Sequence, residues 1–168
     1  RNRTFIPALM QSWRDGFRQP DASFLLVQLP NYKNTSPEIR EAQLLSAVGD
    51  DRAAAVVTAD VGDAEEIHPR NKKPVGERLA LAARVVCYGE KIDGLCPAYR
   101  SAAFANGRAL LSFQYAGAGL ELRGAGGFEL CGPDKQWVPA EARLVAPDRL
   151  EVRASALVNP VAARYAWS

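Results

Sequence analysis

The first half of the chain contains two short apolar segments that constrain the fold more than any other feature. Residues 24–29 read Phe-Leu-Leu-Val-Gln-Leu, and residues 53–60 read Ala-Ala-Ala-Val-Val-Thr-Ala-Asp. A strand that does not alternate apolar and polar residues is normally covered on both faces, as in a parallel sheet. Two such strands alone do not form a stable sheet. We therefore expect residues 1–90 to need further strands, from a segment missing from this sequence or from another chain.

Helical patterns alternate with these two strands. Apolar side chains at helical spacing predict an amphipathic helix over residues 4–18, whose apolar face consists of Phe5, Leu9, Ser12 or Trp13, and Phe17. Ser36, followed by a proline, predicts the start of a helix over 37–48. Asn71 is predicted to cap a third helix that stops at Gly89. The order helix–strand–helix–strand–helix indicates a right-handed α/β unit.

After Gly94 the pattern changes to short runs of alternating apolar and polar residues. Glycine-rich and proline-rich turns separate these runs, which predict strands over 109–115, 128–131, 143–145 and 149–153. Such spacing is typical of an antiparallel sandwich or meander. We therefore predict two domains, with residues 1–92 as part of an α/β domain and residues 93–168 as a β-sandwich-like C-terminal region.

Composition excludes several classes of function. The net charge of the 168 residues is +2, which gives no basic field for nucleic acid, and no stretch approaches the about 20 apolar residues of a membrane-spanning helix. One histidine and three cysteines without a C-x-x-C pair argue against a metal centre, and we expect no cofactor. Cys87 and Cys96 flank a turn-rich segment, and the sequence leaves open whether they form a disulfide or stay free.

The segment from Asp60 to Lys72 is the best candidate for chemistry. It follows a buried strand, and ligands bind outside the carboxyl ends of strands in open α/β sheets. It contains the single histidine, His68, with four acidic residues within eight positions. A carboxylate on one ring nitrogen would fix the tautomer, so that the other nitrogen takes a proton from a hydroxyl nucleophile. The alternatives are that His68 lies in a solvated surface loop and that Asp60 is a structural acceptor.

The chain offers no convincing nucleophile for this histidine. None of its eight serines lies in a G-x-S-x-G turn, and no glycine-rich pair of amides beside a serine suits an oxyanion hole. Ser36 is better explained as a helix cap and Ser112 as a strand residue. The sequence therefore predicts a base without its nucleophile.

Several stretches of the sequence resemble the sialate O-acetylesterase family. The members of this family are serine esterases of the SGNH hydrolase superfamily. The stretches are Phe24–Tyr32, Ile39–Gln43, Ile67–Lys72 and Arg164–Trp167. The resemblance runs in order from about Phe5 to the last residue and matches the C-terminal part of the family. Within it, Cys96 stands where a glycine is more usual. The implied fold is α/β, a partial SGNH-type parallel-sheet sandwich followed by a β-rich antiparallel region.

The resemblance implies deacetylation of an O-acetylated sugar through an acetyl-serine intermediate. His68 matches the catalytic histidine of the family. The acid stays open. The D-x-x-H pattern of the superfamily selects Glu65, many members instead carry an acid where Glu66 stands, and some have neither. A histidine–serine dyad helped by backbone carbonyls is the remaining alternative. The serine of the family lies in an upstream Gly-Gln-Ser-Asn motif that this sequence does not contain. The implied partners are the acetylated carbohydrate and an N-terminal portion of the same enzyme.

Three questions remain open at the level of sequence. The substrate is either an acetylated sialic acid or an acetylated plant polysaccharide such as xylan or xyloglucan. An export signal in the upstream portion would place the enzyme in the periplasm or outside the cell. A non-catalytic carbohydrate-binding module is the alternative to an esterase, because Trp137, Tyr115 and Trp167 in the β-rich half offer flat apolar faces to sugar rings.

Overall fold

The computed structural model describes residues 2–124 and 126–167, which form two compact units. Unit 1 comprises residues 1–96 and unit 2 comprises residues 97–168. The chain has a mixed α/β fold. The helices and strands of unit 1 are, in order, α1 (Asn2–Gly16), β1 (Phe24–Val27), α2 (Pro37–Ala47), β2 (Ala53–Val56), a 3₁₀ turn (Ala59–Val61) and α3 (Lys73–Val86).

Strands β1 and β2 lie parallel and have helices on both faces, as their unbroken apolar composition predicts, although Val27 at the end of β1 is exposed. Phe24 pairs with Ala53, and the register continues to Val27 opposite Val56. Apolar side chains on one face pack against α1 and α2, and those on the other face pack against α3. Both strands are shorter than predicted, because a buried polar network begins where each strand ends.

Helix α1 forms where the periodicity predicts it, but its apolar face does not lie where we expected. Ile6 and Met10 pack into the core, and Met10 is only 3% exposed. The predicted face is instead exposed to solvent, at 66% for Phe5, 40% for Leu9, 51% for Trp13 and 73% for Phe17. The helix therefore presents two adjacent apolar stripes, of which the described chain covers one.

The helix starts differ in detail from the predictions. Helix α2 begins after Ser36 as expected, but the Ser36 hydroxyl donates to the carboxylate of Glu38 and not to a backbone amide. The prediction that Asn71 caps α3 is wrong, because Lys72 is the residue that precedes the first helical position. Helix α3 ends near Gly89, whose φ of +69° suits the turn that follows a helix.

Within the described residues of unit 2, six antiparallel strands form one sheet in the order β3-β4-β7-β6-β5-β8. They are β3 (Ala98–Ala105), β4 (Arg108–Gln114), β5 (Phe128–Cys131), β6 (Trp137–Ala146), β7 (Arg149–Arg153) and β8 (Ala162–Tyr165). Asn106 and Gly107 both have positive φ and form a two-residue hairpin between β3 and β4. The prediction of antiparallel strands is confirmed.

The two faces of this sheet differ sharply. One face carries the apolar core of unit 2, which includes Leu111, Leu130 and Val152. The other face carries Glu151, whose side chain is only 3% exposed because three arginines surround it. The guanidinium groups of Arg108, Arg143 and Arg153 donate hydrogen bonds to this carboxylate.

Among the described residues, no helix has the length and apolarity that crossing a membrane requires.

Candidate functional site

The carboxyl ends of β1 and β2 are joined by a buried polar network. The Thr58 hydroxyl donates to the Gln28 carbonyl oxygen over 2.6 Å, and the Gln28 side-chain amide donates to the Arg40 carbonyl oxygen over 2.9 Å. The Leu29 amide donates to the Gln43 side chain over 2.9 Å. Several residues of the motifs that carried the family resemblance therefore hold the strand ends to α2, and the loops start from fixed points.

A close backbone contact joins the loops that follow the two strands. A Cβ atom placed on Gly62 would lie 2.4 Å from the backbone nitrogen of Asn31 and 2.6 Å from its carbonyl oxygen. Only glycine fits this contact without a shift of the backbone. The loop after β2 therefore passes directly over the loop after β1.

Asp60 holds the start of the candidate loop to helix α3. Its carboxylate accepts two hydrogen bonds from the Arg78 guanidinium, over 2.7 and 2.5 Å, and Arg78 also donates to the Val57 carbonyl oxygen over 2.7 Å. This bidentate geometry is the strongest form of such a pair. Asp60 therefore accepts hydrogen bonds from a side chain of α3, in line with the structural role that the sequence left as an alternative.

Glu65, one of the two candidate acids, is directed away from the histidine. Its carboxylate pairs with the ammonium group of Lys33, which lies in the loop after β1. Its backbone amide donates to Asp63 over 2.8 Å, and the Lys33 amide donates to the Ala64 carbonyl oxygen over 3.0 Å. Glu65 thus joins the two loops.

Glu66, the other candidate acid, contacts His68 twice. Its Oε1 atom accepts the backbone amide of His68 over 2.8 Å and lies 3.2 Å from Nδ1 of the ring. These contacts lower the pKa of Glu66, first through the hydrogen bond from the His68 amide and to a smaller extent through the ring. Glu66 is therefore the carboxylate that the fold places against His68.

The His68 side chain is 85% exposed, and Glu66 is its hydrogen-bond partner among the described residues. In the tautomer with a proton on Nδ1, this proton is donated to Glu66, and Nε2 faces solvent as an acceptor. A ring held in this way can accept a proton from a hydroxyl group that approaches Nε2. Such an arrangement can serve as a general base with an orienting carboxylate.

Residues 2–124 and 126–167 contain no group of three or more histidine, cysteine or acidic side chains placed to hold a metal ion. Cys87, Cys96 and Cys131 are all free thiols in the structure.

The three aromatic residues considered as a sugar platform have different environments. The Trp137 ring is covered by the guanidinium of Arg164, which lies 4.2 Å from the ring centroid and is held by Glu129. Tyr115 is exposed, and Trp167 is partly buried. The Arg164 contact occupies one face of Trp137, so the structure adds nothing that favours a sugar platform there.

Sequence analysis missed three residues that shape the loop, namely Lys33, Gly62 and Arg78. No local signal marks Lys33 or Arg78, because each acts on a carboxylate that is distant in sequence. Gly62 follows the strand end directly, and a glycine at such a position is a signal of close backbone approach.

No protein-family model matches the chain. The sialate O-acetylesterase of Mus musculus is 31% identical over an alignment of 192 positions, gaps included, which covers 97% of this chain and 35% of the mouse protein. The crystal structure of a carbohydrate acetylesterase from Xanthomonas citri matches with a TM-score of 0.92 and 38% identity, over 99% of this chain and 41% of that protein. The chain thus spans well under half the length of both relatives. These comparisons confirm the resemblance that the motifs indicate, and the chain is a relative of the sialate O-acetylesterases that corresponds to their C-terminal part.

Proposed function

We propose that the chain is the base-supplying part of a carbohydrate O-acetylesterase, a serine hydrolase of SGNH type. In this proposal His68 is the general base and Glu66 orients it. The serine nucleophile and the oxyanion groups belong to the N-terminal portion of the same enzyme. The parallel β1–β2 pair, with helices on both faces, is then the C-terminal part of the SGNH-type domain, and unit 2 is the β-rich region that follows it.

One observation carries this proposal. The loop after β2 brings the single histidine and Glu66 together over 3.2 Å and leaves the second ring nitrogen exposed. Both relatives described above are named acetylesterases, and they align with almost all of this chain. A surface histidine without a role would not need a carboxylate on its Nδ1 atom in a loop fixed at both ends.

The reaction follows from this arrangement. As the serine oxygen attacks the acetyl carbonyl carbon, its proton moves to Nε2 of His68, and the negative charge of Glu66 stabilises the imidazolium that forms. Collapse of the tetrahedral intermediate breaks the bond between the acetyl carbon and the sugar oxygen. The sugar oxygen leaves as a hydroxyl group after it takes the proton from Nε2. Water then attacks the acetyl-serine with His68 again as base, which releases acetate and restores the serine.

The substrate class in this proposal is an O-acetylated carbohydrate. The name of the mouse relative favours acetylated sialic acid, whereas the name of the bacterial relative specifies only a carbohydrate. Acetylated xylan and xyloglucan are therefore included as alternatives. We also propose that the enzyme is located in the periplasm or outside the cell.

The test is acetate release by the complete esterase, with acetylated sialic acid, xylan and xyloglucan as parallel substrates. A His68→Ala variant should lose about 10²–10⁴-fold in kcat with its fold unchanged, as expected for removal of a general base. His68→Gln serves as a second variant of similar size. Retention of most activity by both folded variants would remove His68 from the mechanism, and lack of acetate release from every substrate would overturn the proposed function.

A further inference from the structure

We infer that the exposed stripe of α1 and the free edge of β1 together form the docking surface for the nucleophile-bearing portion of the esterase. This inference rests on the proposed function, since it names the surface through which that portion completes the site. The stripe consists of Phe5, Leu9, Trp13 and Phe17, and we refer to it as the α1 stripe.

The α1 stripe is a row of apolar side chains that are exposed to solvent. Phe5, Leu9 and Trp13 follow one another at intervals of four residues, so they lie along one line of the helix. Phe17 comes directly after α1 and continues this line, since its amide donates to the Trp13 carbonyl oxygen over 2.9 Å. All four are at least 40% exposed, whereas the neighbouring line of Ile6 and Met10 is packed into the core. Contiguous exposed apolar surface of this kind usually marks an interaction site.

The stripe continues into a groove at the end of the helix. This groove has a volume of about 460 Å³ and is lined by Trp13 and Phe17 of the stripe and by residues up to Leu25 of β1. The Trp13 and Phe24 rings lie against each other, with centroids 6.0 Å apart. The stripe thus meets the start of β1 through Trp13 and Phe24, in a groove that Gln19 and Ser23 also line.

Strand β1 adds an open edge to this surface. In the part of the chain that the structure describes, β1 pairs with β2 alone. Phe24 and Gln28 donate their amides to the β2 side, so the alternating amides of Leu25 and Val27 are directed to the opposite edge. Val27 is 45% exposed, whereas every residue of β2 is buried. Parallel sheets are normally buried, so an open parallel strand of this composition favours a further strand beside it.

The charged side chain next to the stripe, Arg14, already has a partner within the chain. Arg14, on the same helix, donates to both carboxylate oxygens of Asp50, over 2.8 and 3.2 Å. Its guanidinium also lies over the Phe24 ring, at 5.2 Å from the centroid. The surface is therefore suited to apolar side chains and a backbone edge rather than to an anion.

The length of the relatives identifies the occupant. The chain aligns with 35% of the mouse protein and 41% of the bacterial one, while almost all of its own residues are matched. Each relative thus holds more than half of its length outside the part that corresponds to this chain. We assign the docking surface to that portion, which would place an apolar parallel strand beside β1 and apolar side chains on the α1 stripe.

Hydroxyl-radical footprinting of two samples tests this inference, because it reads side-chain exposure without any need for activity. The samples are the complete esterase in its native state and the same esterase unfolded in urea, so that each side chain serves as its own reference. Trp13 and Phe17 should be modified several-fold more slowly in the native esterase than in the unfolded one, as should Met10, which is already buried in the core. Tyr88, which is 77% exposed and lies beyond the end of α3, is the control and should react at nearly the same rate in both.

Equal modification of Trp13 and Phe17 in the two samples would overturn the inference. Protection that appears only as the concentration of the complete esterase is raised would also overturn it, because a second copy would then be the occupant. Acetate release measured on the same sample of complete esterase separates this result from the fate of the proposed function. Protection of Trp13 and Phe17 without acetate release would support the docking surface and contradict the proposed esterase function.

Discussion

One carboxylate oxygen of Glu66 contacts His68 at two points, accepting its backbone amide over 2.8 Å and lying 3.2 Å from its ring nitrogen Nδ1. The first contact closes a tight turn, and the second sets the orientation of the ring. Glu65 is only one residue away, yet its carboxylate pairs with Lys33. The fold therefore gives the two neighbouring glutamates different partners.

This difference predicts unequal effects of two matched substitutions. In the complete esterase, Glu66→Gln should lower kcat by about tenfold or more, because a neutral amide stabilises the imidazolium less than a carboxylate does. Glu65→Gln should leave kcat nearly unchanged, since it breaks only an exposed ion pair. Steady-state acetate release measures both. A large loss in Glu65→Gln alone would make Glu65 the acid, and no loss in either would favour a histidine–serine dyad.

Two glycines predict opposite effects of the same substitution. Gly62→Ala brings a Cβ atom within 2.4 Å of the Asn31 backbone, so we expect a loss of about 1–3 kcal/mol in the free energy of unfolding. Gly76→Ala lies in α3 with no atom within 4 Å of the new Cβ, and it should gain about 0.5–1 kcal/mol. Urea unfolding of both variants measures these changes. A stable Gly62→Ala variant would contradict the close contact between the loops.

The buried hydroxyl of Thr58 predicts a cost when it is removed. Thr58→Val keeps the shape of the side chain but removes the hydrogen bond to the Gln28 carbonyl oxygen, in a place that is 2% exposed. We expect a loss of about 1–3 kcal/mol in the free energy of unfolding. Thr58→Ser keeps the donor and should lose less. Equal losses in the two variants would assign the effect to packing of the methyl group.

The arginine cluster around Glu151 predicts a specific response to acid. Hydrogen bonds from Arg143, Arg153 and Arg108 lower the pKa of Glu151 to about 2, below its ordinary value of about 4.3 in unfolded chains. The carboxylate therefore contributes to stability above about pH 4.3, and this contribution is lost as the pH falls towards 2.

Glu151→Gln should accordingly be less stable than the natural sequence at pH 7, and the difference should shrink as the pH falls from 5 to about 2. Glu141→Gln is the matched control, because Glu141 lies exposed on the adjacent strand β6. Urea unfolding midpoints across this pH range measure the effect. A difference that stays constant with pH would show that the cluster acts through packing and not through charge.

The pattern of apolar residues along the sequence is sufficient to predict the parallel strands and the strands in the middle of the antiparallel sheet. It failed at the edges of that sheet, where β3 and β8 lie. Both are rich in alanine, which has a low strand propensity, and edge strands bury too little surface to show an alternating pattern. The first half of β6 was missed because Pro139 lies within it, and a proline usually argues against a strand.

The candidate site was predictable only in part, for a physical reason. His68 stood out because it is the single histidine and follows a buried strand. The partners of the nearby acids did not stand out, since Lys33 and Arg78 reach them through the fold and not through sequence spacing. The face of α1 that was expected to be buried is the exposed α1 stripe. Periodicity reveals which residues share a face of a helix, but not which of two apolar faces is covered.

The ion pair of Asp60 with Arg78, together with the start of α3 at Lys73, has a consequence for how the loop between them can change. The Asp60–Arg78 pair and the first turn of α3 hold the two ends of the loop, and neither uses the side chain of Glu65 or Glu66. Substitution of either glutamate therefore removes contacts inside the loop, namely the ion pair with Lys33 or the hydrogen bonds to His68, while the ends of the loop stay in place. A change of activity in such a variant would then report on the histidine and its carboxylate, and not on the positions of sheet and helix.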